Sequence, residues 1–266
     1  MNLLNSKVIL TGATGGIGRP LALALAAKGA RLALVDRNLQ QLGDLCQQIA
    51  SRGGFARPII ADLSDVNSVQ HAVEQAIGAL GGIDLLINNA GVMDFVRFEQ
   101  QDAARIEQMI RINVTAPILL TRAVLPHLLE QNAGRIVNIG SAFGSIGFAH
   151  YATYCASKFA IRGFSESLRR ELIDTHVGVT YIAPRATRTA LNNDATMQML
   201  AATGANMDSP ENVADLIVQA IERERKEYSI GQPEAFFARL NGVLPRLVDI
   251  GLQKQTRVAR QFTTTH

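Results

Sequence analysis

Two cysteines in 266 residues, Cys46 and Cys155, are too few for a disulfide framework or a zinc cluster. The five histidines add nothing metallic: His71, His127 and His176 show no ligand spacing. Charged residues are only 18% of the chain against 47% hydrophobic, which excludes global disorder. No basic segment followed by an apolar one opens the chain, so no signal peptide is expected. An apolar stretch over residues 20–35 is broken by Lys28, Gly29 and Arg31 and is too short to span a bilayer. Long linkers, repeats and low-complexity tracts are also missing. A reduced cytoplasm is the expected compartment.

The net charge of +3 is unevenly spread. Residues 239–266 hold five basic side chains (Arg239, Arg246, Lys254, Arg257 and Arg260) and one acid, Asp249. That leaves 21 basic and 22 acidic residues in 1–238. The body is therefore −1 and the end +4, which argues against a nucleic-acid footprint over the whole chain.

What is present alternates strand and helix. Apolar runs predict strands at residues 7–11, 31–36, 56–61, 83–88, 134–140 and 177–183, with a short last one at 227–230. Helical patterns fall between them at 17–29, 39–51, 65–80 with Ser64 as cap, 102–130 with Pro117 as a kink or break, and 151–175. A further helix over 209–223 opens with Ser209, Pro210 and Glu211. Strands joined by crossover helices imply an α/β fold, a doubly wound parallel sheet covered on both faces. The length suits one such domain.

Between the first strand and first helix lies Thr11-Gly12-Ala13-Thr14-Gly15-Gly16-Ile17-Gly18. Glycines let backbone approach a phosphate, and the helix N-terminus offers free N–H groups. A purely structural turn is the alternative. Asp36 ends the second strand, where a carboxylate accepts from an adenosine ribose 2′-OH and repels a 2′-phosphate. Arg37 follows and suits that phosphate instead. The acid favours NAD and the arginine keeps NADP open, with a solvated surface pair as the bland alternative.

Tyr154 and Lys158 stand at i and i+4, on one face of a helix. A nearby ammonium favours a phenolate, which makes the phenol a usable acid and base. Ser141, at the end of the fifth strand, offers a hydroxyl for a carbonyl oxygen.

Taken with the glycine turn, Asp62-Leu63, Asn88-Asn89-Ala90-Gly91 and Asn113 in this order, these residues resemble the classical short-chain dehydrogenase/reductase family over most of 1–231. The resemblance implies a Rossmann-like sheet in the order 3-2-1-4-5-6-7 and NAD(P)-dependent interconversion of a secondary alcohol and a ketone. It places Gly12, Thr14, Gly16, Ile17 and Gly18 at the cofactor pyrophosphate, and Asp62 and Leu63 by the adenine. Asn89, Ala90 and Gly91 border the adenine ribose side. Pro184, Thr187 and Thr189 fall near the carboxamide. Tyr154 is implied as the general acid/base and Ser141 as the group orienting the substrate oxygen. Lys158 is implied to bind the nicotinamide ribose and lower the tyrosine pKa, and Asn113 to hold a water. A homodimer or homotetramer acting on a small-molecule substrate is also implied. A non-catalytic NAD(H)-binding sensor or scaffold on the same fold is the competing function.

One departure stands out. Arg185 occupies the place of the family's glycine after Pro184; it has three open roles, closing over the cofactor, meeting an acidic substrate, or pointing to solvent. Cys155, Cys46 and His150 read as bystanders. Phe143, Ile146 and Phe148 are either an apolar substrate wall or core. Residues from about 190 to 208, with Met197, Met199, Leu200 and Met207, match the family's substrate loop, and a flexible apolar lid suits an acyl-, lipid- or steroid-like substrate. Beyond 231, residues 232–266 have the composition of one or two basic amphipathic helices. They either pack on this or a neighbouring subunit, lie on an anionic membrane surface, or fray, as is expected of 263–266.

Overall fold

The computed structural model describes residues 1–263. Seven strands, β1 (Lys7–Thr11), β2 (Arg31–Asp36), β3 (Phe55–Ile60), β4 (Leu85–Asn88), β5 (Gly134–Ile139), β6 (Val177–Pro184) and β7 (Glu227–Ile230), form one parallel sheet. Their order is β3-β2-β1-β4-β5-β6-β7, as the resemblance implied. The inner strands are continuous apolar runs because helices cover both faces; β4, Leu-Leu-Ile-Asn, is buried at every position. The edge strand β3 carries Arg57 and Pro58, and a proline is tolerated at an edge because it has no N–H for the ladder.

The helices are α1 (Gly18–Ala27), α2 (Leu39–Ala50), α3 (Val66–Leu80), α4 (Ala103–Ile110), α5 (Ala116–Glu130), α6 (Ala152–Glu171), α7 (Asp194–Ala202), α8 (Pro210–Glu222), α9 (Glu234–Val243) and α10 (Pro245–Ala259). Leu21, Leu25, Leu42, Leu45, Ile217 and Ile221 of α1, α2 and α8 pack with Leu10, Leu32 and Leu34 on one face. Val73, Ala76, Leu120, Val124 and Leu168 of α3, α5 and α6 pack with Ile9, Val35 and Leu86 on the other. Each large side chain so buried contributes about 1.5–3 kcal/mol, so the alternation of strand and helix is held from both sides.

Two local expectations need correction. Asp65, not Ser64, caps α3, accepting from Asn67 N–H at 3.1 Å; the Ser64 hydroxyl donates to Asp62 instead, at 2.7 Å. The α-helical pattern of residues 103–130 is interrupted before Pro117 rather than at it. A π-helical stretch, Arg111–Thr115, separates α4 from α5, and Pro117 sits in the first turn of α5, where a missing N–H leaves no bond unmade. Ala103–Glu130 is long and apolar enough to cross a membrane, yet Leu120, Val124 and Leu128 pack it on the sheet.

The last helices fold back over the carboxyl ends of the strands. Val248 and Ala259 face inward, and Ala259 and Phe262 join Tyr151, Met199 and Leu200 in a third apolar cluster. Asn241 Nδ2 donates to the Ser145 carbonyl at 2.9 Å. Thr263, expected to fray, is buried and donates to the Arg260 carbonyl at 2.9 Å; the rest of that expectation concerns residues outside those described.

Candidate active site

The turn after β1 is built for close backbone approach. Gly12 has φ +62°, and a Cβ there would lie 2.7 Å from Ala90 Cα; one on Gly18 would lie 1.9 Å from the Gly12 carbonyl oxygen. No side chain caps α1 and no acid stands in its first turn, so its N–H groups and positive dipole end suit an anionic ligand. The turn opens on a cleft of about 970 Å³ lined also by Asp36, Arg37, Asp62, Leu63, Asn89, Ala90 and Gly91. A dinucleotide's pyrophosphate therefore fits what the chain offers here.

Several expected binding residues are partly committed to the chain itself. Asp36 accepts from Thr14 N–H at 3.0 Å and from Arg37 N–H at 2.7 Å. Two hydrogen bonds from Ser64 hold the Asp62 carboxyl low, with the Arg37 charge adding to the effect. Asn89 Nδ2 donates to the carbonyls of Thr11 and Gly12, both at 3.1 Å. Thr11 Oγ1 accepts from the N–H groups of Asn89 and Ala90, both at 3.1 Å. Thr11 thus ties β1 to the 88–92 segment, a role that a hydroxyl at the end of an apolar strand signals in retrospect.

Ser141, Tyr154 and Lys158 meet where β5 ends. Ser141 starts a short 3-10 turn and accepts from Phe143 N–H at 3.1 Å. Its side chain shares a hydrogen bond with Tyr154, which draws the phenol down, but burial is the larger cause and pushes it up. Lys158 is 5% exposed and donates to the Ile139 carbonyl at 2.9 Å. Burial pushes its ammonium down to about 8. The implied lowering of the tyrosine by the lysine is overridden: Nζ lies 5.7 Å from the ring centre of Tyr154, and desolvation moves both groups toward neutrality.

Asn113 joins them through the π turn. Its Oδ1 accepts from Val92 N–H at 2.8 Å, and its Nδ2 donates to the Val92 carbonyl at 2.8 Å and to Ser157 Oγ at 3.0 Å. Ser157 in turn donates to the Tyr154 carbonyl at 2.7 Å. The side-chain amide of Asn113 is therefore a clamp between the 88–92 segment and α6. Ser157 was missed in the sequence, although it stands inside Tyr154-x3-Lys158.

A short chain dehydrogenase family model matches residues 6–200. The chain belongs to the short chain dehydrogenase family. It is 33% identical to ketoacyl reductase HetN of Nostoc sp. over 231 residues, 86% of this chain and 80% of that one. A short chain dehydrogenase/reductase from Burkholderia phymatum, solved in complex with NAD, superposes with a TM-score of 0.83 at 26% identity, covering 95% of this chain and 96% of the other. A metagenomic short-chain oxidoreductase in complex with NADP gives 0.71 at 30% identity, over 82% and 91% of the two chains.

In this short chain dehydrogenase a second cavity, of about 120 Å³, adjoins Ser141 and Tyr154. Met93, Phe143, Tyr151, Leu191, Met199 and Leu200 give it apolar walls. Phe148 stacks on Phe143 with ring centres 5.4 Å apart, which makes it a support rather than a wall; Ile146 is not among the lining residues. Thr189 borders both cavities and lies over Gly16, where a Cβ would come 2.4 Å from its own. Pro184 and Thr187 also line the smaller cavity, and the Thr187 hydroxyl turns inward to donate to the Arg185 carbonyl at 3.1 Å.

Arg185 does not point to solvent: it borders the smaller cavity and is held by the chain itself. Nε and Nη2 hold the two carboxylate oxygens of Asp208, each at 2.9 Å, and Nη1 donates to the Gln232 carbonyl at 2.8 Å. It braces Asp208 and Gln232 against the end of β6. Cys155 is buried and burial pushes its thiol up. His150 stands edge-on to Phe95, 5.9 Å between ring centres.

Proposed function

We propose that the protein interconverts a secondary alcohol and a ketone with NAD(H), using Tyr154 as general acid/base on an apolar, acyl- or lipid-like substrate. The observation that carries this is the meeting of Ser141, Tyr154 and Lys158 beside the apolar cavity and next to the 12–18 turn. When bound, the nicotinamide supplies or accepts the hydride. Ser141 Oγ hydrogen-bonds the substrate oxygen. Tyr154 Oη gives that oxygen a proton in reduction and takes it back in oxidation. A phenol is protonated at neutral pH and burial raises Tyr154 further, which suits the reductive direction. Lys158 holds the nicotinamide ribose, and its charge favours the phenolate that oxidation requires.

Asp36 supports NAD over NADP. Its carboxylate stands beside the glycine turn and repels a 2′-phosphate. The ketoacyl reductase among the relatives and the walls of Met93, Met199 and Leu200 both favour an acyl-bearing ketone. Parallel NADH and NADPH titrations, followed by turnover on ketones graded in chain length, test both points. Tighter NADH binding and kcat/KM rising with chain length are expected. A strong NADPH preference makes Arg37 the deciding residue. Tight cofactor binding without turnover across the panel overturns the enzymatic reading in favour of a dinucleotide sensor.

A further inference from the structure

The outer side of α9 and α10 is unlike the rest of the surface. Phe236 is 57% exposed, Val243 76%, Leu247 55% and Ile250 64%, with Phe237 and Leu244 also open. Single exposed apolar residues are ordinary, but six within fifteen positions, meeting at the bend between two helices, make a patch. The inner faces are already occupied, by Ala235 at the start of α9, by Val248 near the bend and by Ala259 and Phe262 against α7.

Charge says what the patch meets. Arg239 and Arg246 are exposed and flank the apolar bend. Along α10 the outward stripe runs Leu247, Ile250, Lys254, Arg257, all exposed at i, i+3, i+7 and i+10, so it passes from apolar to basic over about 15 Å. Asp249 is the one acid from 239 onward. A second copy meeting this patch through a two-fold axis would bring arginine to arginine with a single carboxylate per chain to offset them. A bilayer of anionic lipid offers what the patch lacks: hydrocarbon for the bend and phosphates for the stripe.

We propose that the bend between α9 and α10 docks the protein on an anionic membrane surface, with Phe236, Val243, Leu244, Leu247 and Ile250 entering the interface and Arg239, Arg246, Lys254 and Arg257 on the headgroups. The proposal is independent of the substrate and of the catalytic assignment. It also sets the membrane beside the substrate cavity, because α10 packs on α7 and Asn241 of α9 is bonded to the loop after Ser141.

The test is flotation of the full chain on phosphatidylcholine vesicles with and without phosphatidylglycerol. Flotation on the anionic vesicles alone, released by salt, is expected. Replacing Lys254→Gln or Arg257→Gln should weaken partition about fivefold each, and Leu247→Ser with Ile250→Ser should abolish it at an unchanged Tm. No flotation, equal flotation on both vesicles, or salt-insensitive binding overturns the proposal. So does an oligomer that Leu247→Ser with Ile250→Ser dissociates while flotation persists, since the patch is then a subunit interface.

Discussion

Tyr154 and Lys158 are both ionisable and both buried, and that sets how they respond to change. Tyr154→Phe keeps the ring and removes the proton carrier. Turnover should fall by about 10²–10⁴ while NADH binding, measured by fluorescence, stays; turnover near that of the parent would sink the assignment. Lys158 titrates at about 8 in the fold against 10.5 as a free side chain. Below pH 8 both states carry the proton and the cost of burying the charge is full. Between 8 and 10.5 the unfolded chain binds more protons, so stability rises with pH. Above pH 10 the raised Tyr154 opposes it, because the unfolded phenol ionises first. Lys158→Met should therefore flatten a rise of about 3 kcal/mol, read by denaturant unfolding from pH 7.5 to 10. Arg185→Ala leaves the Asp208 carboxylate, 12% exposed, without its fork and should cost about 3–5 kcal/mol; adding Asp208→Asn should recover part. That Arg185 departs from the glycine pattern is visible in the sequence. Its partners, 23 and 47 residues on, are not, because only the path of the chain brings them to β6.

At the scale of elements, periodicity and composition located every strand to within two residues, since a strand buried on both faces has nowhere to place polar groups. Boundaries decided by one hydrogen bond were less legible. Ser64 and Asp65 both suit the start of α3, and only the backbone geometry chooses Asp65. The π turn at Arg111–Thr115 has no composition signal of its own, yet it turns the Asn113 amide toward Val92 and Ser157. Over the cavity, α7 is held at its start by Asn193, whose side chain accepts from Thr196 N–H at 2.9 Å. Asn193→Ala should cost that helix about 1 kcal/mol. Because Thr196, Met199 and Leu200 line the cavity, the cost should appear as a raised KM at nearly constant kcat. A KM equal to that of the parent would remove α7 from the substrate site.

For the whole molecule, the division at residue 231 suggested by the sequence resemblance is a division in sequence only. β7 ends at Ile230, but Gln232 is tied to Arg185 and Ala259 and Phe262 complete the apolar cluster around Tyr151 and Tyr154. Removing 232–266 should therefore expose that cluster, lower Tm and raise binding of a hydrophobic dye, while NADH affinity, set by the 12–18 turn, changes little. A truncated protein as stable as the full chain would make the extension an appendage.

The sequence by itself determined the alternation of strand and helix, the glycine turn, the Ser141, Tyr154 and Lys158 set, and the uneven charge, because each depends on residue type at short spacing or on a pattern repeated along the chain; the sheet order was implied only by the family resemblance those motifs carry. Tertiary structure alone decided the ionisation of Tyr154 and Lys158, the clamp of Asn113, the brace of Arg185 and the outward face of the last helices. Those depend on what lies across the fold: burial strips water from a charge, and long-range packing chooses which partner, carboxylate or carbonyl, takes its place.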